Sequence, residues 1–169
     1  MEVKIKKLRE DAQIPKYADN GCAGMDIVAT SMDITDDYIE YGTGLAFEVP
    51  PGYVMLIFPR SSNSNKDLIL SNSVGVLDSS YRGELRFRFK RHYRCYEMND
   101  DFFSFERRIT DRIGWHHADE SEWIATRIYE VGDRIGQIII LPYPQISFKE
   151  VAELSETERG TGGFGSTGK

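Results

Sequence analysis

The stretch PRSSNSNKDLILSNSVGVLDSSYRGEL, residues 59–85, contains the side chains best suited to chemistry. Arg60 supplies a planar guanidinium group, and Ser61 and Ser62 add hydroxyl groups and the N–H groups of a turn. A guanidinium group and turn N–H groups together match the geometry of phosphate oxygens. We therefore interpret Arg60, Ser61 and Ser62 as a phosphate cradle.

A carboxylate follows the next apolar segment. DLILSNSVGVL, residues 67–77, is predicted to be a β-hairpin that turns at residues 71–73, and Asp78 comes directly after it. A carboxylate at the end of an apolar strand is well placed to act as a general base. The alternative is an aspartate that caps a turn, because the sequence DSSYRG is typical of turns.

The sequence RGTGGFGSTGK, residues 159–169, is rich in glycine and resembles phosphate-binding loops. Such loops require a helix directly after the glycine turn, and the residues after Gly165 are too few to form one. Glycines still allow backbone N–H groups to approach a ligand closely. Two interpretations remain open: a disordered tail, or a tail that orders over a bound nucleotide through Arg159 and Phe164.

Composition restricts the class of protein. The 169 residues fit one domain, and 40% of them are hydrophobic, which is enough for a core. No apolar run is long enough to span a membrane, and residues 1–10 lack the apolar stretch of a signal peptide. We expect a cytoplasmic protein, with Cys22 and Cys95 as free thiols. The net charge of −6 argues against a nucleic-acid partner, and we expect no membrane partner.

The elements that position these residues are predicted to be strands. Most apolar runs are short and end at Gly, Pro, Asn or Asp. In LRFRFK, residues 85–90, apolar and basic residues alternate, as in a half-buried strand. The run IGQIIIL, with Gln137 as its one polar residue, indicates a core strand. We predict an all-β domain, a distorted jelly roll or β-barrel, with strands in VKIKKL, YIEYG, GLAFEVP, YVMLIFP, DLILSN, ELRFRFK, WIATRIYE and DRIGQIIILP.

Residues 91–122 break this pattern and are predicted to be an insertion between two strands. The segment is charged and aromatic, with a short helix expected in FFSFERRITDRI. It contains His92, His116 and His117, together with Cys95. Their spacing matches no zinc site, so we interpret them as solvated polar residues.

The chain resembles the trimeric dUTP pyrophosphatases (dUTPases) in five motifs that occur in the family's order. These are AGMDIVA (23–29), PRSS (59–62), GVLDSSYRGEL (75–85), GDRIGQIII (132–140) and RGTGGFGSTG (159–168). The third and fifth motifs are highly specific. The resemblance implies an enzyme that hydrolyses dUTP to dUMP and pyrophosphate, built as a homotrimer with shared active sites.

The resemblance also implies roles for single residues. Asp78 would activate the water that attacks the α-phosphorus, and Tyr81 would pack under the deoxyribose and exclude a 2′-hydroxyl group. Gln137 would contact the α-phosphate region, and Asp26 would hold Mg²⁺ indirectly, through water. The uracil would be read by Asn72 and by the backbone of Gly75, Val76 and Leu77, and the phosphates would be held by Arg60, Ser61 and Ser62.

The glycine-rich end would be the family's mobile C-terminal arm, residues 159–169, attached to a domain of residues 1–158. Arg159 would grip the γ-phosphate and Phe164 would stack on uracil. Gly165, Ser166 and Thr167 would donate hydrogen bonds to the β- and γ-phosphates.

The chain departs from the family pattern in three places. The second motif usually reads R-S-G followed by an apolar residue, whereas Ser62 and Asn63 stand here. We expect the cradle to tolerate Ser62 if its φ is negative. The fourth motif has Gly136 where alanine is usual, which we expect to be a mild change. The insertion resembles the extra segments of some bacteriophage members, which are linked to regulatory protein partners.

Two other functions remain open. A dCTP deaminase of the same superfamily would need a catalytic glutamate, and Asp78, Tyr81 and Phe164 argue against it. A regulatory binding module would use the aromatic residues of 91–122 to dock a protein, and this role is compatible with catalysis. The alternative for those aromatics is a small core beneath a long loop. The basic residues Arg86, Arg88 and Lys90 lie on one strand face, which we interpret as a solvated face or a subunit contact.

Overall fold

The structure is a computed structural model, and it describes residues 1–91, 115–117, 123–125 and 127–163. Only the backbone is described for 115–117 and 123–125. Eleven strands are present in the described residues: β1 (Lys4–Lys7), β2 (Met25–Val28), β3 (Ser31–Ile34), β4 (Ile39–Glu48), β5 (Tyr53–Phe58), β6 (Leu68–Leu70), β7 (Gly75–Leu77), β8 (Glu84–Arg91), β9 (Trp115–His117), β10 (Trp123–Ala125) and β11 (Arg134–Pro142).

The strands form three antiparallel sheets. The first sheet has the order β1-β4-β8-β6, and β3 also pairs with β4. The second sheet has the order β2-β11-β5-β7. The third is a two-stranded pair of β9 and β10. This confirms the predicted all-β, jelly-roll-like fold.

The core lies on the inward faces of the two large sheets. Along β8 the odd positions are buried and the even positions are exposed, which confirms the alternation predicted for LRFRFK. The rings of Tyr41, Phe87, Phe89 and Tyr129 pack against one another in pairs, with centroids 5.6 to 6.3 Å apart. Ile27, Leu45, Met55, Leu85, Ile135 and Ile138 complete the fully buried centre. No helix in the described ranges is long and apolar enough to span a membrane.

Several strand predictions need correction. YIEYG and GLAFEVP are one ten-residue strand, β4, in which Gly44 adopts a positive φ of 64° beside a register shift. A glycine tolerates this conformation, so the chain bends without ending the strand. In WIATRIYE, only residues 123–125 are described as a strand, and residues 127–130 have none. The sequence interpretation missed β2 and β3, whose short runs include polar residues. The helix predicted in FFSFERRITDRI lies outside the described residues.

The predicted hairpin of residues 67–77 is also wrong. β6 pairs with β8 in the first sheet, whereas β7 pairs with β5 in the second, so the two strands separate into different sheets. Leu68 and Leu70 are buried in one sheet, and Gly75 and Leu77 are buried in the other. Each strand joins the sheet in which its own apolar residues are buried. Both lie at the edges of their sheets, and an edge strand has one row of backbone groups without a strand partner.

Candidate functional site

Asp26 and Arg60 are bonded to each other at the predicted phosphate cradle. Arg60 Nε donates to Asp26 Oδ1 at 2.8 Å, and Arg134 Nη1 donates to Asp26 Oδ2 at 3.2 Å. The Asp26 and Arg60 side chains are about three-quarters buried, at 28% and 26% exposure. Partial burial strengthens such a charge-assisted bond, so the Arg60 guanidinium group is held in place before any ligand arrives.

Gln137 links its strand, β11, to the residue that precedes Arg60 in the cradle. It lies opposite Asp26 on one side of β11 and opposite Phe58 on the other. Its Nε2 atom donates to the carbonyl oxygen of Pro59 at 3.3 Å, directly before Arg60. A Cβ atom at Gly24 would lie only 2.7 Å from Gln137 Oε1, so the first motif approaches this amide closely. The structure therefore brings Asp26, Arg60 and Gln137 together, although their motifs are distant in sequence.

The Ser62 departure leaves the cradle backbone unstrained. Residues Ser61–Asn65 form a short 3₁₀ helix, and Arg60 Nη1 donates to Ser62 Oγ at 3.2 Å. Within the described ranges, Ser73 is the one non-glycine residue with a positive φ, so the φ of Ser62 is negative. The negative φ is the condition under which the cradle was expected to tolerate Ser62. Ser62 keeps its backbone N–H and adds a hydroxyl group that contacts Arg60.

The turn between β6 and β7 carries the residues predicted to read uracil. Ser73 adopts a φ of 60°, its N–H donates to the Leu70 carbonyl at 3.0 Å, and Val74 N–H donates to the Asn72 carbonyl at 2.6 Å. A Cβ atom at Gly75 would lie 3.3 Å from Asn72 Nδ2 and 3.0 Å from Ile57 Cβ. Asn72 and Gly75 are therefore neighbours, in a turn that leaves the outer edge of β7 accessible.

Asp78 and Tyr81 lie in the exposed turn after β7. The Tyr81 N–H donates to the backbone carbonyl of Asp78 at 3.1 Å, so the turn is closed by the backbone rather than by the carboxylate. The Asp78 side chain is exposed, and in the described part of the chain its carboxylate has no hydrogen-bond partner. Tyr81 is 46% exposed and its hydroxyl donates to the Glu84 carbonyl at 3.1 Å. Neither residue belongs to the core.

Within one chain, Asp78 does not meet the cradle. Asp26 lies on β2 and Asp78 follows β7, and these strands are the two opposite edges of one four-stranded sheet. Three strand spacings place them about 14 Å apart across the sheet. Along the strands, Asp26 is level with Phe58, whereas Leu77 is level with Met55 and Asp78 lies one residue further on. This offset adds about 13 Å along the strands.

Comparison with known proteins agrees with this arrangement of motifs. The family model of the dUTPases matches residues 10–95 and 125–168. The curated deoxyuridine 5'-triphosphate nucleotidohydrolase of Nautilia profundicola is 36% identical, with all of both chains covered. The protein of the same name from Hydrogenobaculum sp. is 34% identical over 99% of each chain.

The chain belongs to the dUTPase family. Among solved structures, Staphylococcus bacteriophage 80alpha dUTPase with the nucleotide analogue dUPNHPP superposes with a TM-score of 0.72, at 28% identity and over 99% of both chains. The dUTPase model leaves residues 96–124 unmatched, a range that overlaps the predicted insertion 91–122. Most of that predicted insertion, including its histidines' side chains, lies outside the described residues.

The C-terminal part of this dUTPase leaves the sheet at Pro142. Residues 143–163 contain no strand and are almost entirely exposed, with Ile146, Phe148 and Leu154 exposed by 70% or more. Arg159 lies in a turn, where its Nε donates to the Gly162 carbonyl at 2.9 Å. The other predicted arm residues lie outside the described ranges: Phe164, Gly165, Ser166 and Thr167.

Gly136 is less simple than the sequence indicates. A Cβ atom there would lie 2.1 Å from Phe87 Cε1 and 2.9 Å from the Phe58 carbonyl oxygen. Alanine at this position would therefore require Phe87 or the Phe58 backbone to shift, so the reverse change to alanine is not mild in this chain. Glycine at this position is coupled to a large ring on the opposite sheet.

The sequence interpretation missed Arg134 and the Pro59 carbonyl. Arg134 stands at the start of β11, opposite Val28, and its side chain reaches the carboxylate of Asp26. The sequence feature that could have identified Arg134 is its position in the fourth motif, within GDRIGQ. The Pro59 carbonyl is a backbone group, which no sequence motif identifies.

Proposed function

We propose that the protein hydrolyses dUTP to dUMP and pyrophosphate, with Asp78 as the general base. Asp78 takes the proton of a water molecule as that water attacks the α-phosphorus, and pyrophosphate leaves. Membership of the dUTPase family carries this proposal. The Asp78 carboxylate is exposed and has no partner among the described residues, which supports this role because its lone pairs remain available for a proton.

The cradle binds the phosphates through groups that already have their working orientation. Asp26 holds the Arg60 guanidinium group through Nε, which leaves further N–H donors for phosphate oxygens. Ser61 and Ser62 add hydroxyl and backbone donors, and Gln137 contacts the α-phosphate region. Preorganised donors stabilise developing charge without reorganising at the moment of reaction.

Asp26 would hold Mg²⁺ indirectly, through water bound to the ion. Within the described part of the chain, no group of three or more His, Cys, Asp or Glu residues is placed to hold a metal ion. Each Asp26 oxygen accepts one bond from an arginine, and a carboxylate has about four acceptor sites, so capacity remains for a metal-bound water. When bound, Mg²⁺ neutralises part of the triphosphate charge.

The base and sugar are selected at β7 and its flanking turns. The open backbone edge of β7 offers the N–H and C=O groups that pair with uracil, together with Asn72. A fixed set of backbone groups rejects cytosine by mismatched donors and thymine by steric conflict. Tyr81 packs under the deoxyribose, where a 2′-hydroxyl group would collide with its ring.

Each active site is shared between copies of the chain in a homotrimer. General-base catalysis requires Asp78 within hydrogen-bond reach of the attacking water. The separation of about 14 Å across the sheet is too large for one chain's cradle and one chain's Asp78 to hold the same α-phosphate. A neighbouring copy supplies the missing part, and the exposed apolar residues of 143–163 are suited to crossing onto it.

The arm closes the site from its C-terminal end. Arg159 grips the γ-phosphate, Phe164 stacks on uracil, and Gly165, Ser166 and Thr167 donate to the β- and γ-phosphates. Closure excludes water and strengthens these contacts. Truncation after Glu158 is expected to leave an assembled trimer with poor turnover. A truncated chain that fails to assemble would show that the arm is structural instead.

The first experiment measures pyrophosphate release from dUTP, dCTP, dTTP and UTP with Mg²⁺ present. Release from dUTP alone is expected, because base and sugar are both selected. Ammonia release is measured on dCTP in parallel, since a dCTP deaminase would produce it. No pyrophosphate from any nucleotide would contradict the proposed hydrolysis.

The shared site is tested by mixing two inactive variants. Asp78→Asn chains lack the base and Arg60→Gln chains lack the phosphate fork, so each homotrimer is expected to be nearly inactive. Mixed trimers formed by co-refolding contain sites that combine an intact Arg60 with an intact Asp78 from different chains. Regained activity supports sharing, whereas two dead variants that stay dead in verified mixed trimers would place the whole site within one chain.

A regulatory role through residues 91–122 is a second candidate. It is favoured by the likeness to phage 80alpha dUTPase, one structure of which is described in terms of its "SaPI inducing capacity", at 28% identity and a TM-score of 0.70. In this role the segment docks a protein partner in the cytoplasm. Deleting 91–122 is expected to leave turnover intact. Lost turnover in an intact trimer would place the segment in the active site.

A further inference from the structure

Tyr129 lies outside every motif, yet its hydroxyl reaches the phosphate cradle. The side chain is buried, with 2% exposure, and its hydroxyl donates to Asn63 Oδ1 at 3.1 Å. Asn63 stands where the family usually has an apolar residue, and its Nδ2 atom donates to the Leu68 carbonyl at 2.8 Å. A buried tyrosine hydroxyl and a side-chain amide are therefore paired directly behind the cradle.

Asn63 in turn binds Arg60, because its backbone N–H donates to the Arg60 carbonyl at 2.9 Å. Burial raises the pKa of Tyr129 above its ordinary value, while a hydrogen bond with Ser62 and the charge of Arg60 oppose that rise. Ser62 Oγ in turn accepts from Arg60 Nη1 at 3.2 Å, and Arg60 Nε donates to Asp26. A continuous hydrogen-bond path thus runs from the Tyr129 hydroxyl to the Asn63 side chain, and from the Asn63 N–H to the Arg60 carbonyl, while the Arg60 side chain binds Ser62 and Asp26.

The ring and backbone of Tyr129 are fixed from several sides. Its ring packs against Tyr41 and Phe89, with centroids 6.1 and 5.6 Å apart. Its carbonyl accepts from the Tyr41 hydroxyl at 2.9 Å, and Lys66 Nζ donates to the preceding Ile128 carbonyl at 2.6 Å. A side chain held this firmly in the core can transmit its position to the groups that its hydroxyl contacts.

We propose that Tyr129 is a positioning residue for the phosphate cradle, with Asn63 as its partner. The inference rests on the proposed function of Arg60 and Ser62 in holding the triphosphate. Tyr129 itself does not touch the substrate. It holds the Asn63 side chain, and the Asn63 N–H holds the Arg60 carbonyl at the start of the short helix that carries Ser61 and Ser62. Losing this orientation weakens the binding of phosphate and leaves the base-reading turn unaffected.

The test is Tyr129→Phe, which removes the hydroxyl group and keeps the ring. KM for dUTP and the Kd of the analogue dUpNHpp are expected to rise about threefold to tenfold, as one hydrogen bond is lost. kcat is expected to change less than twofold. The inhibition constant of deoxyuridine, which has no phosphate, is measured on the same protein and is expected to stay constant.

Thr43→Val is the matched control. The Thr43 side chain is fully buried, and its hydroxyl donates to the Leu85 carbonyl at 2.7 Å in the first sheet. Both variants lose one buried hydroxyl and are expected to melt at lower temperature, but only Tyr129→Phe is expected to raise KM. Equal changes in KM for the two variants, or parallel weakening of deoxyuridine, would reduce Tyr129 to a structural residue.

A double variant examines the pair directly. Asn63→Leu with Tyr129→Phe removes both ends of the hydrogen bond, so its effect on KM is expected to be smaller than the sum of the single effects. Additive effects would contradict the pairing. Arg60→Gln distinguishes the phosphate-binding role of the cradle from the positioning role of Tyr129. If it leaves KM unchanged, the cradle itself is misassigned. If it raises KM while Tyr129→Phe does not, only the positioning role fails.

Discussion

Asp26, Arg60 and Ser62 are joined by hydrogen bonds, whereas the carboxylate of Asp78 has no hydrogen-bond partner in the described part of the chain. The cradle side chains are partly buried between strands, and Asp78 stands in an exposed turn. The two regions carry different demands. A phosphate-binding group benefits from being held in one orientation, while a base must keep a lone pair free for a proton.

The fold therefore holds the cradle side chains in fixed positions but leaves the Asp78 side chain exposed. The cradle is held in place by residues of the first, second and fourth motifs and by core residues behind them. Asp78 draws only on a local turn, closed by its backbone carbonyl. In the proposed trimer, a neighbouring copy and the bound nucleotide would complete its environment.

Asp78→Asn has the largest expected effect. We expect kcat to fall by a factor on the order of 10² to 10⁴, because an amide cannot take the proton of the attacking water. Steady-state kinetics measures the fall, and calorimetry with dUpNHpp is expected to give nearly unchanged binding. Near-normal turnover would remove Asp78 from its role.

Asp26→Asn is the corresponding change in the cradle. The charge that holds Arg60 and Arg134 is lost, and we expect kcat/KM for dUTP to fall about 10- to 100-fold. Unlike Asp78→Asn, this variant should bind dUpNHpp more weakly. Arg134→Gln is the control, since it removes one arginine and leaves the Arg60 bond. An Asp26→Asn enzyme with normal dUpNHpp affinity would contradict the idea that the cradle is preorganised.

The sequence predicted the all-β class, the alternation of β8 and the presence of a polar amide in β11, because these follow from local periodicity. It could not predict that β6 and β7 join different sheets. That outcome depends on which distant strand covers Leu70 or Leu77, and pairing partners are not encoded locally. The contacts of Asp26 with Arg134 and of Gln137 with Pro59 were missed for the same reason.

Gly136→Ala tests whether packing beneath the cradle sustains its rigidity. The added methyl group meets Phe87, so we expect the free energy of unfolding to fall by about 2 kcal/mol. Urea denaturation measures this change. Phe87→Leu introduced into the same chain provides space and should recover part of the loss. If Gly136→Ala is as stable as the wild type, the ring at 87 moves aside without cost.

Glu40 provides the smallest expected effect and the sharpest control, since it also lies between two arginines but far from any proposed chemistry. Burial alone would raise the pKa of Glu40, but hydrogen bonds from Arg88 and Arg86 outweigh it and hold the pKa below its ordinary value of 4.5. The resulting stability is present above pH 4.5 and is lost as the pH falls through the lower folded pKa.

We therefore expect Glu40→Gln to lower stability by about 1 kcal/mol or less at neutral pH, because both arginine side chains are about half exposed and the ion pairs are screened by solvent. The difference from the wild type should disappear in acid, and KM for dUTP should not change. Denaturation curves at neutral and acidic pH measure the first two points. A change in KM would mean that this ion pair communicates with the active site.

The open edges of β6 and β7 have a consequence for the behaviour of the protein in solution. An exposed strand edge is a template on which other chains can polymerise, and Ile69 and Val76 lie exposed on these strands. Each strand has only three residues, too few to seed a stable intermolecular sheet. Lengthening either strand would therefore raise the tendency of the protein to aggregate.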